Sequence, residues 1–169
     1  TWCSGTTGCA GTVTSANSLV GSTANDYVGN GIRELANGNY VVLNPYWQKG
    51  ALAYVGAVTW CNGTTGCTGT VSAINSLVGS TADDGIGNDG NDGVYPLTNG
   101  NYVVDSPNWD KGTTIDVGAA TWCNGMTGCK GVVTTTNSLV GSTTNDTVGF
   151  QGIRALTNGN YVVASPTWK

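Results

Sequence analysis

The chain has 169 residues, of which only 9% are charged, and its net charge is −4. This balance excludes the basic surface that a nucleic-acid-binding protein needs. The 39% of hydrophobic residues, with six tryptophans and seven tyrosines, excludes a disordered chain. No apolar run reaches the roughly 18 residues of a membrane span, so we expect no membrane insertion.

A repeat of about 60 residues organises the sequence. Three motifs each occur three times: Trp-Cys-x-Gly-x-Thr-Gly-Cys, Asn-Ser-Leu-Val-Gly-Ser-Thr and Asn-Gly-Asn-Tyr-Val-Val. Their first copies begin at Trp2, Asn17 and Asn37. Periods of this length are typical of repeat arrays and propellers.

Within one unit the residues predict four short strands, in chain order around Val28 to Leu35, Tyr40 to Leu43, Tyr54 to Trp60, and Thr68 to Ala73. Each run contains β-branched or aromatic residues and is bounded by Gly, Asn or Pro. Because the connections are short, we expect the strands to pair antiparallel. No segment has the apolar period of a helix.

The third and fourth predicted strands are joined by the cysteine motif, which contains every cysteine of the chain. Gly, Thr and Asn between two cysteines are turn residues, so each copy predicts a hairpin tip closed by its own disulfide. A zinc site needs four ligands, and the chain has no histidine. Paired cysteines favour an oxidising, extracellular or cell-surface location. The predicted disulfides are Cys3–Cys9, Cys61–Cys67 and Cys123–Cys129.

Four antiparallel strands in about 60 residues have the size of a β-propeller blade. We therefore predict an all-β fold of tandem four-stranded antiparallel blades, a β-propeller-like repeat array. A β-helix with two or three coils per unit and β-sandwich modules are the alternatives. The predicted organisation is residues 1–26 as the C-terminal half of a blade plus a connector, 27–83 and 84–145 as complete blades, and 146–169 as the N-terminal half of a blade.

The unit resembles the FG-GAP blade of integrin-type β-propellers. The resemblance rests on Asp26-Tyr27-Val28-Gly29 and its relatives, on Leu97 to Pro107, and on Gly56 to Trp60. The unit is also similar to Asn-Gly-Asn-Tyr-Val-Val repeats of large secreted bacterial proteins of the filamentous haemagglutinin type. Calcium-binding FG-GAP members carry an Asp-x-Asp-x-Asp-Gly loop, whereas this chain has Asn-Gly-Asn without a carboxylate.

We therefore predict neither a metal nor another cofactor. The acidic insertion around Asp83 to Val94 is interpreted as a Gly-rich solvated loop, and Asp89 and Asp92 are its candidate calcium ligands. We also predict no enzyme, because the chain has neither histidine nor a Gly-x-Ser-x-Gly elbow. The recurring carboxylates Asp26, Asp84 and Asp146 occupy the same place in each copy, which indicates a structural role; a glycosidase-like pair is the alternative.

The six tryptophans form two sets. Trp2, Trp60 and Trp122 adjoin the cysteines and are expected to cover the disulfides or to pack between blades. Trp47, Trp109 and Trp168 follow a proline by two residues. The second set provides candidate ligand-binding residues that could stack on glycans, with packing in the seam between blades as the alternative.

The array begins and ends out of phase with its blades. The sequence starts at Thr1, shortly before the first cysteine, without an initiator methionine or signal peptide, which predicts a processed or excised piece. Three blades are too few to close a propeller. We expect the half blades to complete each other between copies, head to tail, in a filament or a ring; the alternative is that the 169 residues are one period of a longer repeat chain. The predicted function is that of an extracellular structural, adhesin-like repeat protein; the alternative is a propeller lectin that uses the Pro-x-Trp loops.

Overall fold

The computed structural model describes residues 1–88, 90 and 92–169. This part of the chain is all-β, with short strands and no helix. The strands are β1 (Leu19–Val20), β2 (Gly31–Glu34), β3 (Tyr40–Asn44), β4 (Ala57–Cys61), β5 (Gly69–Thr70), β6 (Leu77–Val78), β7 (Val94–Pro96), β8 (Tyr102–Ser106), β9 (Ala119–Cys123), β10 (Gly131–Val132), β11 (Leu139–Val140), β12 (Ile153–Ala155) and β13 (Tyr161–Val163).

The predicted four-stranded antiparallel unit is present. One sheet has the order β11-β9-β8-β7 and is antiparallel throughout. A five-stranded sheet, β10-β6-β4-β3-β2, contains the same four antiparallel positions and one additional strand. The third unit contributes the antiparallel pair β12-β13. The fold-class prediction of tandem all-β repeats is therefore confirmed.

The fourth strand of the unit differs from the prediction. The segment Thr68 to Ala73 contains only β5, and β5 does not pair with its own unit: it lies parallel to β1 of the preceding copy. The fourth antiparallel position belongs to β6, within the Asn-Ser-Leu-Val motif. The reason is a turn closed by Asn75, whose side chain accepts from the Ser72 N–H (2.9 Å) and donates to the Thr70 carbonyl (3.0 Å). This turn returns the chain to β4.

Successive sheets pack face to face. The largest core cluster joins Leu43 and Val58 of the five-stranded sheet to Tyr102, Val104 and Ala119 of the four-stranded sheet. Two smaller clusters lie on the other faces of these sheets, around Val55 and Val78 in one case and around Val103 and Ile153 in the other. The central strands β3 and β8 thus lie between two core clusters, which explains why they bury consecutive residues without strict alternation.

Candidate functional site

The seam between one repeat and the next carries most of the repeated side chains. All three predicted disulfides are formed, and no cysteine in the described part of the chain is free. In the second copy Asn62 shapes the turn, because its side chain accepts from the N–H groups of Thr64 (2.8 Å) and Thr65 (3.0 Å). The second disulfide loop is therefore closed both by its S–S bond and by the hydrogen bonds of Asn62.

Two of the three cysteine-adjacent tryptophans, Trp2 and Trp60, pack on the disulfide loop of the following copy. The Trp2 indole N–H donates to the Gly63 carbonyl (2.9 Å), and the Trp60 indole N–H donates to the Gly125 carbonyl (2.9 Å). Trp122 has no later copy in the sequence and is exposed. Trp2 and Trp60 therefore pack between repeats, which is one of the two arrangements expected for this set.

The Asn-Gly-Asn turns form a second set of contacts across the seam. The Asn37 side chain donates to Gly125 (2.9 Å) and Gly100 (3.3 Å) of the following unit, and Asn99 donates to Gly159 (3.1 Å) in the same way. These amides therefore bind backbone carbonyls of the next repeat.

Only one of the two candidate calcium ligands lies in the described residues. Asp92 makes an ion pair with Arg33 (2.7 Å), and Asp89 lies outside the described residues. No group of three His, Cys, Asp or Glu side chains that could hold a metal occurs among residues 1–88, 90 and 92–169. This part of the chain also contains no helix long and apolar enough to span a membrane.

The recurring aspartates brace a corner in each repeat. Asp26 accepts from the N–H groups of Ser22 (2.7 Å), Thr23 (3.0 Å) and Gln48 (3.1 Å), and from the Thr23 hydroxyl (2.6 Å). Burial acts to raise the pKa of Asp26, but the hydrogen bonds from Thr23, Gln48 and Ser22 outweigh it and hold this pKa below its ordinary value.

The other two copies of the corner repeat this pattern. Asp84 and Asp146 accept from the same two positions of the Gly-Ser-Thr segment. Hydrogen bonds from Thr143 are the main cause that holds the pKa of Asp146 below its ordinary value. A carboxylate that accepts hydrogen bonds from the Gly-Ser-Thr segment in every copy fits the predicted structural role.

The Pro-x-Trp residues are not equally accessible. Trp47 and Trp109 are buried and pack in the core clusters, so neither ring offers a face to a glycan. Trp168 is exposed. Trp47 and Trp109 therefore fit the alternative prediction, which is packing in the seam between blades. The three tryptophans do not form a set of exposed rings that could each bind a glycan.

The last repeat leaves an open apolar surface where the inner repeats are covered. The exposed fraction is 1% for Leu77 but 58% for its counterpart Leu139, and 4% for Trp109 but 62% for Trp168. Leu139 and Trp168 border an open cleft of about 450 Å³. We call it the C-terminal end surface, and it is lined by Leu139, Val140, Val148, Val163, Ser165 and Trp168.

The first repeat exposes the complementary segment. Residues 11–13 follow the first disulfide loop as residues 69–71 and 131–133 follow the other two, and we call them the N-terminal end segment. Val71 and Val133 are each 2% exposed, because they cover the preceding copy, whereas Val13 is 63% exposed. The same valine is thus buried wherever a preceding repeat is present.

Comparison with known proteins gives one family. The model of a repeat of unknown function, DUF5650, matches residues 1–30, 34–88, 96–150 and 155–169. The chain belongs to this family. The match establishes the tandem repeat and gives no link to FG-GAP blades or to filamentous haemagglutinins. The predicted boundaries at 26, 83 and 145 stay a prediction. No curated protein and no solved structure matches the chain.

Proposed function

We propose that the chain is an extracellular structural repeat protein, adhesin-like, whose copies associate head to tail into a filament or a ring. One observation carries the proposal. The contact between consecutive repeats occurs twice inside the chain with equivalent residues, and the two ends expose the two halves of that same contact. The head-to-tail joint would be a third copy of an interaction that the chain already makes.

The internal contact defines the expected register. In β5-β1, Gly69 lies opposite Leu19, and the Val71 N–H donates to the Val20 carbonyl (3.0 Å). In β10-β6, Gly131 lies opposite Leu77, and the bond from Val133 to Val78 has the same length, 3.0 Å. We therefore expect the N-terminal end segment of one copy to pair in parallel with β11 of another.

A second pairing supports the same arrangement. In the first complete unit β4 lies beside β3, with Trp60 opposite Val41 and Cys61 opposite Tyr40. In the last unit β13 is paired on one side only, by β12, among the described residues. Trp2 and Cys3 of a second copy would occupy the β4 position there. Two half sheets would then form one sheet, which removes two open edges at once.

The energetic case rests on the side chains that the joint would cover. Burial of an exposed Leu, Val or Trp side chain is worth on the order of 1 to 3 kcal/mol, and Leu139, Trp168 and Val13 are each more than half exposed. A contact of this kind is heterologous, so it propagates until its rotation closes a ring or continues as a filament. The three disulfides are compatible with an extracellular setting.

The test uses two variants that each remove one half of the joint. Leu139→Asp places a charge on the C-terminal end surface, and Val13→Asp places one on the N-terminal end segment. Light scattering should show concentration-dependent growth for the unmodified chain and a monomer for either variant. Ile74→Asp is the matched control, since Ile74 is 86% exposed and lies outside both end surfaces, and it should assemble normally.

Mixing the two variants sharpens the test. Each keeps the half that the other lacks, so the mixture should form a one-to-one dimer that cannot grow. Electron microscopy of the unmodified chain then separates a ring from a filament. A monomer at every concentration for the unmodified, folded chain contradicts the proposal, as does a mixture that stays monomeric.

A further inference from the structure

A cluster of exposed tyrosine side chains in the first repeat takes no part in the tryptophan and asparagine contacts across the seam, and Tyr54 meets the next repeat through its backbone carbonyl, which accepts from the Gly85 N–H (2.9 Å). Tyr27, Tyr46 and Tyr54 are 60%, 38% and 52% exposed. Their rings meet edge to face: the centroids of Tyr27 and Tyr46 are 5.7 Å apart, those of Tyr46 and Tyr54 are 5.9 Å apart, and both interplanar angles are 77°. With Asn30 they line an open cleft of about 360 Å³, which we call the tyrosine cleft.

The repeated scaffold does not require these rings. The second copy has Gly85, Asn108 and Asp116 at the three tyrosine positions. The third copy has Thr147 and Thr167 at the first two. The corners around these positions keep the same fold, including the aspartate that each copy uses as a brace. The aromatic side chains are therefore specific to the first repeat.

The backbone at two of the positions disfavours a large side chain. Tyr27 has φ of 46° and Tyr54 has φ of 52°, and the corresponding Gly85 and Asp116 have φ of 54° and 50°. Glycine and aspartate tolerate this left-handed region, whereas a bulky residue there is strained. The third copy has Thr147 at the first position with φ of 42°, so the left-handed backbone belongs to the repeated corner, and only the aromatic side chains are particular to the first repeat.

We propose that the tyrosine cleft binds a neutral saccharide. Tyrosine offers an apolar face and a hydroxyl together, and Asn30 adds an amide donor and acceptor. Such a surface matches a ligand that has C–H faces and many hydroxyls. None of the four lining residues is charged, and a cleft without a carboxylate or a cationic side chain does not favour a charged ligand. The tyrosine cleft includes none of Trp47, Trp109 and Trp168, and it lies outside the C-terminal end surface and the N-terminal end segment.

The test replaces the three tyrosines by the residues of the second copy, as Tyr27→Gly, Tyr46→Asn and Tyr54→Asp in one variant. Because the fold already accommodates these residues in the second repeat, we expect the melting temperature to stay the same or to rise. An array of neutral glucans, mannans, galactans and chito-oligosaccharides identifies the saccharide. Titration calorimetry with that saccharide should show affinity at least about tenfold weaker for the triple variant.

Two further variants locate the binding. Asn30→Ala should weaken affinity while it leaves the fold intact, and Ile74→Ala, at an 86% exposed position outside the tyrosine cleft, should leave affinity unchanged. The proposal is overturned if no neutral saccharide binds the unmodified chain, if choline or an acidic oligosaccharide binds in its place, or if the triple variant binds as before. Because Leu139→Asp keeps the tyrosine cleft, its saccharide binding should persist even if the head-to-tail proposal fails, so the two proposals can fail separately.

Discussion

The outer strand of the second repeat and that of the third have the same sequence, Asn-Ser-Leu-Val-Gly-Ser-Thr, in opposite surroundings. In the second repeat β6 lies between β4 and β10, and Leu77 and Val78 are buried. In the third repeat β11 has only β9 as a partner strand among the described residues, and Leu139 is exposed. The apolar side chains of this strand therefore suit a strand with a partner strand on each side. In the last copy one of these two sides faces solvent.

The comparison also separates what belongs to a repeat from what belongs to a seam. The braced corner of Asp26, Asp84 and Asp146 is formed in every copy, whether or not a repeat follows. The contacts of Trp2 and Trp60, and the burial of Trp47 and Trp109, require the next repeat. A unit alone would keep its corner and lose most of its core, as expected of repeat proteins.

The closest backbone approach between the first and second repeats gives the largest predicted effect on the free energy of unfolding. Gly56 forms a parallel bridge with Ile86, and a Cβ on Gly56 would lie 2.1 Å from the Ile86 nitrogen. Gly50 has a similar left-handed φ, 63° against 76°, but nothing lies within 4 Å of its Cβ position. We expect Gly56→Ala to lower the free energy of unfolding by at least about 3 kcal/mol, and Gly50→Ala by about 1 kcal/mol.

Urea unfolding followed by tryptophan fluorescence measures both values. Since the two glycines share the same backbone strain, the difference between the variants reports the inter-repeat approach alone. Equal losses would mean that strain at φ, and not contact between repeats, makes glycine necessary at position 56.

A leucine pair tests the outer strands directly. Leu77→Ala removes a fully buried side chain from the largest core cluster and should lower the free energy of unfolding by about 2 to 4 kcal/mol. Leu139→Ala changes an exposed side chain and should cost less than about 0.5 kcal/mol at a concentration where the chain is monomeric. If Leu139→Ala is as costly as Leu77→Ala in the monomer, the open surface of the third repeat is not open in solution.

The sequence predicted the repeat, the disulfides and three strands of each unit because these depend on local residue types. Turn residues between two cysteines, and β-branched runs bounded by Gly or Asn, have the same meaning in any sheet. The partner of β5 could not be read in this way. A two-residue strand has no pattern that distinguishes an antiparallel neighbour in its own sheet from a parallel neighbour in the preceding one.

The burial of Trp47 and Trp109 was hidden for a related reason. Each follows a proline in a loop, and loops normally lie on the surface. Here the neighbouring repeat covers the loop, so exposure is decided by residues distant in sequence. The tyrosine cleft was missed because Tyr46 follows Tyr27 by 19 positions and Tyr54 follows Tyr46 by 8, and the three tyrosines occur in one copy only. Its available signal was the comparison of the three copies with one another.

The smallest of these predicted effects concerns the corner that each repeat forms by itself. Asp26→Asn replaces a carboxylate oxygen that accepts N–H groups by an amide that donates, and should cost about 1 to 2 kcal/mol at pH 7. The folded pKa of Asp26 is lowered, so the stabilisation by its charge is fully present above the unfolded value of about 4 and is lost as pH falls through the folded value. Urea unfolding at pH 7 and at about pH 2.5 should therefore show a difference in free energy of unfolding between the variant and the unmodified chain that becomes smaller in acid.

Asp92→Asn is the control, because it affects an exposed ion pair with Arg33, and it should cost less than about 0.5 kcal/mol at either pH. If the difference in free energy of unfolding caused by Asp26→Asn stays the same in acid, the corner depends on the shape of the side chain and not on its charge. The loss of stability would then be a packing effect, like the losses expected at the seam.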